Sequence, residues 1–416
     1  MLETILEEAR SIPVLGSYDV VVAGGGIAGV AAALAAARTG ATVCLLEKAC
    51  ALGGLATLGN VVYFLPLCDG FGQQVCGGIC EELLRISVDD VHEPMPAIRL
   101  KPIPEAWRNN GKLEDKIKER YLAVFNPTTF AYKLERLLVK NKVKLYFDTR
   151  FTTVRKEGER ITELLIENKS GRSAIRCKAV VDASGDADVC AEAGEKTVSL
   201  SSNVRCNWYY YLEDGQLKLS CLSKPRDKYG RRLPSSGRNF RGDQADQVTA
   251  MLLASRQLVM QEVADKAANS KASVFPIMVP QIPCFRMTRR LNGKRVLRES
   301  DDRRWFENTL GMTGDWREAG PVFCLPLEIL AAVRTPNLIA AGRCISSAGS
   351  AWDMTRVIPT CAVTGQAAGT AAAFLALDQM PSFQDLDVST IQKYLQKKKV
   401  IIDRKLLLKH RKQDVN

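Results

Sequence analysis

The chain has 416 residues, 46% of them hydrophobic, and a formal net charge of +12; this fills a sizeable core in one intricate enzyme or two to three domains and excludes a disordered chain. No apolar run approaches the roughly 18 to 20 residues of a membrane span, and the acidic start MLETILEEARSIPVLGS (1–17) lacks the basic region and apolar core of a signal peptide, so a cytoplasmic protein without a membrane span is expected. Thirteen cysteines include no CxxC pair, and the spacings from Cys68 to Cys76 to Cys80 match no common zinc or iron–sulfur pattern, so reduced thiols and no metal are expected.

Tyr18 to Ala23, YDVVVA, reads as an apolar strand running into GGGIAG and the small-residue helix AAALAAARTG, after which TVCLL forms a second strand ending at Glu47. This is a βαβ opening. Gly24, Gly26 and Gly29 make G-x-G-x-x-G: the first permits a tight turn, and the second lets a pyrophosphate approach backbone N–H groups at the helix start, near Ile27 and Ala28. The third lets helix and strand pack closely. Glu47 lies 21 residues beyond Gly26, where a carboxylate accepts hydrogen bonds from both hydroxyls of an adenosine ribose and repels a 2′-phosphate. The expected ligand is FAD or NAD rather than NADP. A crossover that binds no nucleotide is the plain structural alternative.

Further along, KACALGGLATLGN (48–60) places Lys48, the pair Gly53 and Gly54, Leu55, Ala56 and Thr57 in a loop suited to lie against a pyrophosphate and ribityl chain. VVYFLPLCDGFGQQVCGGICEELLR (61–85) and HEPMPAIRLKPIPEAW (92–107) read as an excursion, and NPTTFAYKLERLLVKNKVKLYFDTRFTTV (126–154) as a helix followed by strands. AVVDASGDADVCAEAG (179–194) gives a buried strand and a turn at Asp182, Ala183, Ser184 and Gly185. From 200 to 335 come short β-like runs, RCNWYYYLE (205–213) and SVFPIMV (273–279), and a helix at ADQVTAMLLASRQLVMQEVADKAAN (245–269). NLIAAGRC (337–344) is another strand, ending at Gly342 and Arg343. The helix RVIPTCAVTGQAAGTAAAF (356–374) then raises a question, because each interior glycine costs about 1 kcal/mol relative to alanine. Gly365 and Gly369 need a reason, either close packing against a neighbour or approach to a large flat ligand. Basic runs RDKYGRR (226–232), RRLNGKRVLR (289–298) and KKKVIIDRKLLLKHRK (397–412) carry much of the charge. The last reads as an amphipathic C-terminal helix.

Together GGGIAG…LLEK, GGLAT, VVDASGDADV and LIAAGRC…VIPTCAVTGQAAGTAAAF resemble the bacterial family of FAD-dependent oxidoreductases related to the fumarate reductase and succinate dehydrogenase flavoproteins, in order and from about Tyr18 to Leu377. The resemblance implies an α/β fold: a Rossmann-like FAD-binding domain of glutathione-reductase type, assembled from discontinuous segments 17–85, 126–200 and 336–380. An excursion at 86–125, an inserted α+β substrate domain at 201–335 and a basic C-terminal helix or tail at 381–416 complete it. The resemblance also implies that Pro359, Thr360 and Cys361 face the pyrimidine end of the flavin. There a helix N-terminus offers about half a positive charge and free N–H donors to the reduced ring.

Only two histidines occur, His92 and His410, and the segment before GGLAT lacks the histidine that relatives with covalent flavin carry; the resemblance therefore implies noncovalent FAD. Arg343, Arg356 and Asp353 are candidates for chemistry, with Arg286, Arg289 and Arg290 from RMTRR, which match the family's Arg-rich strand. Arginine binds carboxylates bidentately, so such a cluster suggests an anionic or hydroxyl-rich substrate. For Arg343 a structural salt bridge with Asp182 or Asp186 is the alternative, and on a strand only alternate arginines share a face. No second GxGxxG follows a strand, so the electron donor or acceptor is unidentified. The expected function is hydride transfer between flavin N5 and a small polar substrate. A flavin-containing RNA-modifying or RNA-binding protein stays open, although no RNA-binding module is evident and nucleic acid is disfavoured. An electron-relay subunit of a larger complex also stays open, and so does a homo-oligomer.

Overall fold

The computed structural model describes residues 3–222, 238–270 and 273–408. The run RDKYGRR (226–232) and the last part of the basic tail lie outside them.

Strand β1 (Val14–Ala23), helix α1 (Ile27–Thr39) and strand β2 (Val43–Leu46) form the expected βαβ opening. Helix α2 (Ile79–Ser87) belongs to the excursion. Helix α3 (Pro127–Lys140) then leads into β3 (Lys144–Tyr146), β4 (Arg150–Glu157), β5 (Arg160–Asn168) and the long β6 (Gly171–Asp182). Asn126 starts α3 by accepting from the Thr128 and Thr129 N–H groups, with Pro127 at the first helical position. The chain leaves this sheet through β7 (Thr197–Ser199). It continues in β8 (Asn207–Glu213), β9 (Gln216–Leu222), the 26-residue helix α4 (Ala245–Ser270) and β10 (Val274–Met278). It returns through β11 (Arg289–Leu291), which pairs antiparallel with β7. The hairpin β12 (Thr309–Gly314) and β13 (Val322–Pro326) precedes β14 (Leu338–Ala340). Helices α5 (Gly349–Thr355), α6 (Ile358–Leu377) and α7 (Val388–Lys397) close the chain.

The main sheet runs β3-β2-β1-β6 in parallel, with β14 parallel to the C-terminal end of β6. The hairpin β4-β5 joins antiparallel at the other end of β6. Val20 and Val22 face one core and Val21 and Ala23 the other, so β1 is buried on both faces, as a parallel strand between helical layers must be. The registers bring Ala23, Leu46, Asp182 and Ala340 to one edge. This edge holds the carboxyl ends of the parallel strands, where ligands bind in doubly wound sheets.

Beyond this core, β9-β8-β10 form a three-stranded antiparallel sheet. Pro276 sits on its edge strand β10, where no ladder hydrogen bond is lost. Helix α4 packs on this sheet through Val259 against Tyr209 and Tyr211, and Met251 packs outside it against Phe240 and Phe285.

Helix α6 lies along α1 with almost no side chain between them. A Cβ at Gly365 would stand 2.2 Å from the Ala28 carbonyl oxygen, and one at Gly369 would stand 2.1 Å from that of Ala32. Close packing is thus the reason for both glycines.

Two expectations need correction. Helix α6 is long and apolar enough to cross a membrane by length and composition, contrary to the reading that no such run exists. Its many alanines raise the mean hydropathy without a visible aliphatic run, and 83% of that window is buried inside the protein. The described part of the basic tail, 397–408, is not one amphipathic helix. Helix α7, capped by Asp387 and burying Ile391 and Leu395, ends at Lys397. Lys399 then adopts φ +66°, and Val400 and Ile402 are buried with the two-residue period of extended chain before a short turn at Arg404–Leu407.

Candidate functional site

A cavity of about 710 Å³ opens at the carboxyl edge of the parallel sheet, within the range usual for ligand sites. The loop after β1 lines it with Gly24, Gly26, Ile27 and Ala28, and the loop after β2 with Glu47, Lys48, Gly53, Gly54, Leu55 and Ala56. The turn after β6 contributes Ala183, Ser184 and Gly185. Arg343, Arg356, Ile358 and Cys361 close one end of it.

Local chemistry explains these loops. Gly24 has φ +108°, and a Cβ there would stand 2.4 Å from the Ala183 carbonyl oxygen. At Gly29 a Cβ would stand 1.8 Å from the Gly24 carbonyl oxygen, so this glycine serves packing and does not line the cavity. Gly26 is different: it lines the cavity, and a Cβ there meets nothing within 4 Å. Helix α1 starts at Gly26 without a side-chain cap and without an acidic residue in its first turn, which leaves its N-terminal N–H groups for an anion. Gly53 donates its N–H to the Gly25 carbonyl at 2.8 Å, which ties the two glycine loops together. Thr57 is buried and donates to the Leu52 carbonyl, shaping this turn from behind. Glu47 is 7% exposed and accepts from the N–H groups of Gly25 at 2.6 Å and Ala49 at 2.7 Å. A carboxylate offers about four acceptor positions, so lone pairs remain for a ribose.

After β6, Asp182 is fully buried and accepts from Ser184 N, Ser184 Oγ and Cys190 N, which fixes the turn; burial nonetheless pushes its carboxyl up. Arg343 is fully engaged. It donates to the Gly185 carbonyl, the Phe285 carbonyl and Asp186 Oδ1, each at 2.8 Å. The Asp186 carboxyl is raised by burial, against the pull of Arg343. Arg343 is therefore a clamp across three segments, with the salt bridge that the sequence offered as its alternative. Gly342 lies behind it at φ +77°, its N–H donated to Thr364 Oγ1, 3.0 Å away.

The first turn of α6 presents Ile358 and Cys361 to the cavity, three residues apart on one face. Pro359 and Thr360 turn into the core, where the Thr360 hydroxyl meets Thr313 Oγ1 at 2.8 Å. Burial pushes the Cys361 thiol up to about 12, which leaves it protonated at neutral pH.

The arginines of RMTRR diverge. Arg289 lines the cavity and pairs with Asp188 at 2.7 Å. Arg290 points the other way, is 6% exposed, lies 5.7 Å from the Trp352 ring and has no partner for its Nε. Burial lowers its pKa. The Arg286 backbone N–H donates to Asn203 Oδ1, and its guanidinium charge acts on Asp353 and Arg356; of these three residues only Arg356 lines the cavity. Arg356 donates twice to Asp353 Oδ1, at 2.8 and 2.6 Å. Burial raises the Asp353 carboxyl, but Arg356, Arg317 and Arg286 outweigh it and hold the group below the usual range. Trp316, which donates its Nε1–H to the Asp353 carbonyl, and Arg317 complete this cluster.

Sequence reasoning missed Thr149, Arg150 and Phe151, which line the cavity beside Glu47 and Lys48. Their position just after β3, which pairs parallel with β2, puts them there. It also missed the start of α4, where Asp243, Ala245, Val248, Thr249 and Leu252 cover the cavity from the inserted segment. Two hydrogen bonds from Arg241, at 2.9 and 2.7 Å, hold the Asp243 carboxyl at about 2. A depressed carboxyl stabilises the fold above its unfolded pKa of about 3.9, and this contribution disappears as pH falls through the folded value. The difference in melting temperature between the parent and Asp243→Asn is therefore expected to be constant from about pH 7 to 5 and to vanish near pH 2, in thermal melts followed by circular dichroism.

A family described as FAD dependent oxidoreductase matches residues 19–201 and 307–395. Over 84 residues the chain is 34% identical to a thioredoxin reductase of Ureaplasma parvum serovar 3; the match covers 20% of this chain and 27% of the length of that relative. Among solved structures, a geranylgeranyl bacteriochlorophyll reductase-like protein from Thermoplasma acidophilum is 14% identical at a TM-score of 0.42, over 92% of this chain and 83% of the other. A 3-ketosteroid-Δ4-(5α)-dehydrogenase from Rhodococcus jostii RHA1 is 14% identical at a TM-score of 0.40, over 86% and 97%.

Proposed function

The chain belongs to the FAD dependent oxidoreductase family, with FAD as its cofactor, and from this premise we propose that it transfers a hydride between the flavin and a small polar substrate, anionic or hydroxylated. The observation that carries the substrate class is the guanidinium cluster of Arg286, Arg317 and Arg356 around Asp353, of which Arg356 lines the cavity with Ile358 and Cys361. Arg356 is balanced by Asp353, and Arg317 by Asp315 at 2.5 Å. Among the described residues Arg286 has no carboxylate within ion-pairing distance. With no carboxylate of its own, Arg286 keeps guanidinium donors beyond its contact with Cys206 for a substrate anion, and guanidinium groups bind carboxylates in a planar fork.

The residues present fit FAD. The open space over Gly26 and the uncapped start of α1 suit the pyrophosphate, with Gly53, Gly54 and Ala56 opposite. Glu47 would accept from the adenosine ribose, with Lys48, Thr149, Arg150 and Phe151 around it. Ile358, Cys361 and Arg356 would flank the flavin, and the N-terminal N–H groups of α6 would face its pyrimidine end. Bound FAD supplies a two-electron donor or acceptor. The protein's own part is to orient the substrate with Arg286 and Arg356, to hold Asp353 ionised, and to cover the cavity with α4. We extend the proposal to the kinship with fumarate reductase and succinate dehydrogenase flavoproteins, which the motif set supports. The discontinuous segments 17–85, 126–200 and 336–380 are our reading of the FAD-binding unit, and the electron donor or acceptor is a separate molecule.

Dicarboxylates and hydroxy acids, tested beside their neutral esters, are expected to perturb the flavin absorption band, and the esters are not. Arg286→Ala is expected to weaken that binding about 10- to 100-fold, the effect of losing a charge-assisted hydrogen bond. Equal response to acids and esters, or unchanged affinity in Arg286→Ala, would overturn the anionic assignment.

A further inference from the structure

We propose that Cys206 and Cys284 form a redox-active thiol pair beside the cavity, which closes to a disulfide by passing two electrons to the bound FAD. The proposal rests on FAD as the cofactor and is independent of the substrate class. Both S–H bonds break and one S–S bond forms. The electron pair and one proton reduce the oxidised flavin, and the second proton leaves to solvent.

The backbone brings the two residues together. Leu200 N donates to the Thr288 carbonyl at 2.8 Å, Ser202 Oγ to the Met287 carbonyl at 2.6 Å, and Arg286 N to Asn203 Oδ1 at 2.8 Å. The segments 200–206 and 284–288 thus run past each other in opposite directions, and the following step meets at Cys206 and Cys284, whose side chains hydrogen-bond each other. Thiols in contact need only small adjustment to reach bonding geometry. Each residue is also anchored: Cys206 N donates to Ser255 Oγ at 3.2 Å, and Cys284 Sγ lies 3.7 Å from the Gly59 carbonyl oxygen.

The surroundings suit redox chemistry. Pro283 and Phe285, on either side of Cys284, both line the cavity, and so does Leu58, next to Gly59. The Arg286 guanidinium, free of any carboxylate among the described residues, hydrogen-bonds the Cys206 thiol. The bond to Cys284 is the largest influence on Cys206 and, with Arg286 and Arg356, outweighs burial to bring its pKa down to about 7. The same bond and burial push Cys284 well up. A thiolate near ambient pH beside a protonated partner is the arrangement that favours exchange. Neither Cys206 nor Cys284 itself lines the cavity; Cys76 and Cys80 also hydrogen-bond each other, but no arginine acts on them and none of their chain neighbours lines the cavity. They serve as the internal control.

The test titrates the air-oxidised, FAD-loaded full chain with dithionite without oxygen, then traps thiols with iodoacetamide for peptide mass spectrometry before and after reduction. The wild type is expected to take up about four electrons per flavin, two for the flavin and two for the disulfide. The Cys206–Cys284 cross-linked peptide should be present before reduction, and both residues alkylated after it. Cys206→Ser and Cys284→Ser should each keep the flavin band and take up about two. Two-electron uptake by the wild type with both thiols alkylated from the start would overturn the proposal, as would a disulfide at Cys76–Cys80 instead. A variant that fails to fold leaves the wild-type peptide map to decide. A colourless protein that takes up no FAD would show at once, before titration, and overturns the cofactor premise together with the proposal.

Discussion

A Gly26→Val variant folds with nearly parental stability and does not hold FAD. Gly26 has φ −67° and ψ 178°, a conformation open to any residue, and an added Cβ meets no protein atom within 4 Å. The cost to the apo fold is expected to stay within about 1 kcal/mol, the order of a poorer helix cap. The empty space, however, is where the pyrophosphate must approach the start of α1, and the valine side chain fills it. Affinity for FAD is expected to fall at least about 100-fold, or roughly 2.8 kcal/mol. The extra melting temperature that added FAD confers on the parent disappears with it. Titrating apo protein with FAD, followed by flavin fluorescence, measures the first effect, and thermal melts with and without FAD measure the second. Parental affinity in this variant would move the phosphate site elsewhere.

Gly365→Val and Gly369→Val give the opposite outcome: the fold fails and ligand loss is secondary. In both, the new Cβ would overlap the backbone of α1, at Ala28 and Ala32, rather than a side chain that could swing away. Helix α1 is pinned in turn, because Val30 to Leu34 are wholly buried all round the helix. Separation of two packed helices exposes much of the principal core. Each substitution is expected to cost about 3 kcal/mol or more, a large share of the 5 to 15 kcal/mol that typically holds a protein together. Urea denaturation of the apo protein reads the loss directly. If either variant were as stable as the parent, the α1–α6 contact would be looser than the structure has it.

These two sets of glycines show what a sequence makes legible. Local signals were sufficient wherever a motif and its neighbours lie on one segment. The strand-glycine-helix run from Tyr18, the carboxylate at Glu47, the Gly53–Gly54 loop and the turn at Asp182–Gly185 all lie where the sheet edge gathers its strand ends. Contacts between distant segments left little trace. The reason for Gly365 and Gly369 is visible only once α6 lies on α1, more than three hundred residues away in sequence. The partners of Arg289 and Arg343 are set by the turn after β6, and Cys206 meets Cys284 because β7 and β11 pair as the chain leaves and re-enters the main sheet. The C-terminal tail misled for a different reason: charge dominates KKKVIIDRKLLLKHRK, and the two-residue burial of Val400 and Ile402 is too short a pattern to compete with it.

The most direct test of FAD as a tightly bound, noncovalent cofactor is the absorption spectrum of the purified protein, taken before acid precipitation and repeated on the supernatant. A flavin band in the first and FAD in the second is the expected result. A colourless protein that takes up no added FAD contradicts the cofactor, and colour that stays in the pellet contradicts its noncovalent attachment.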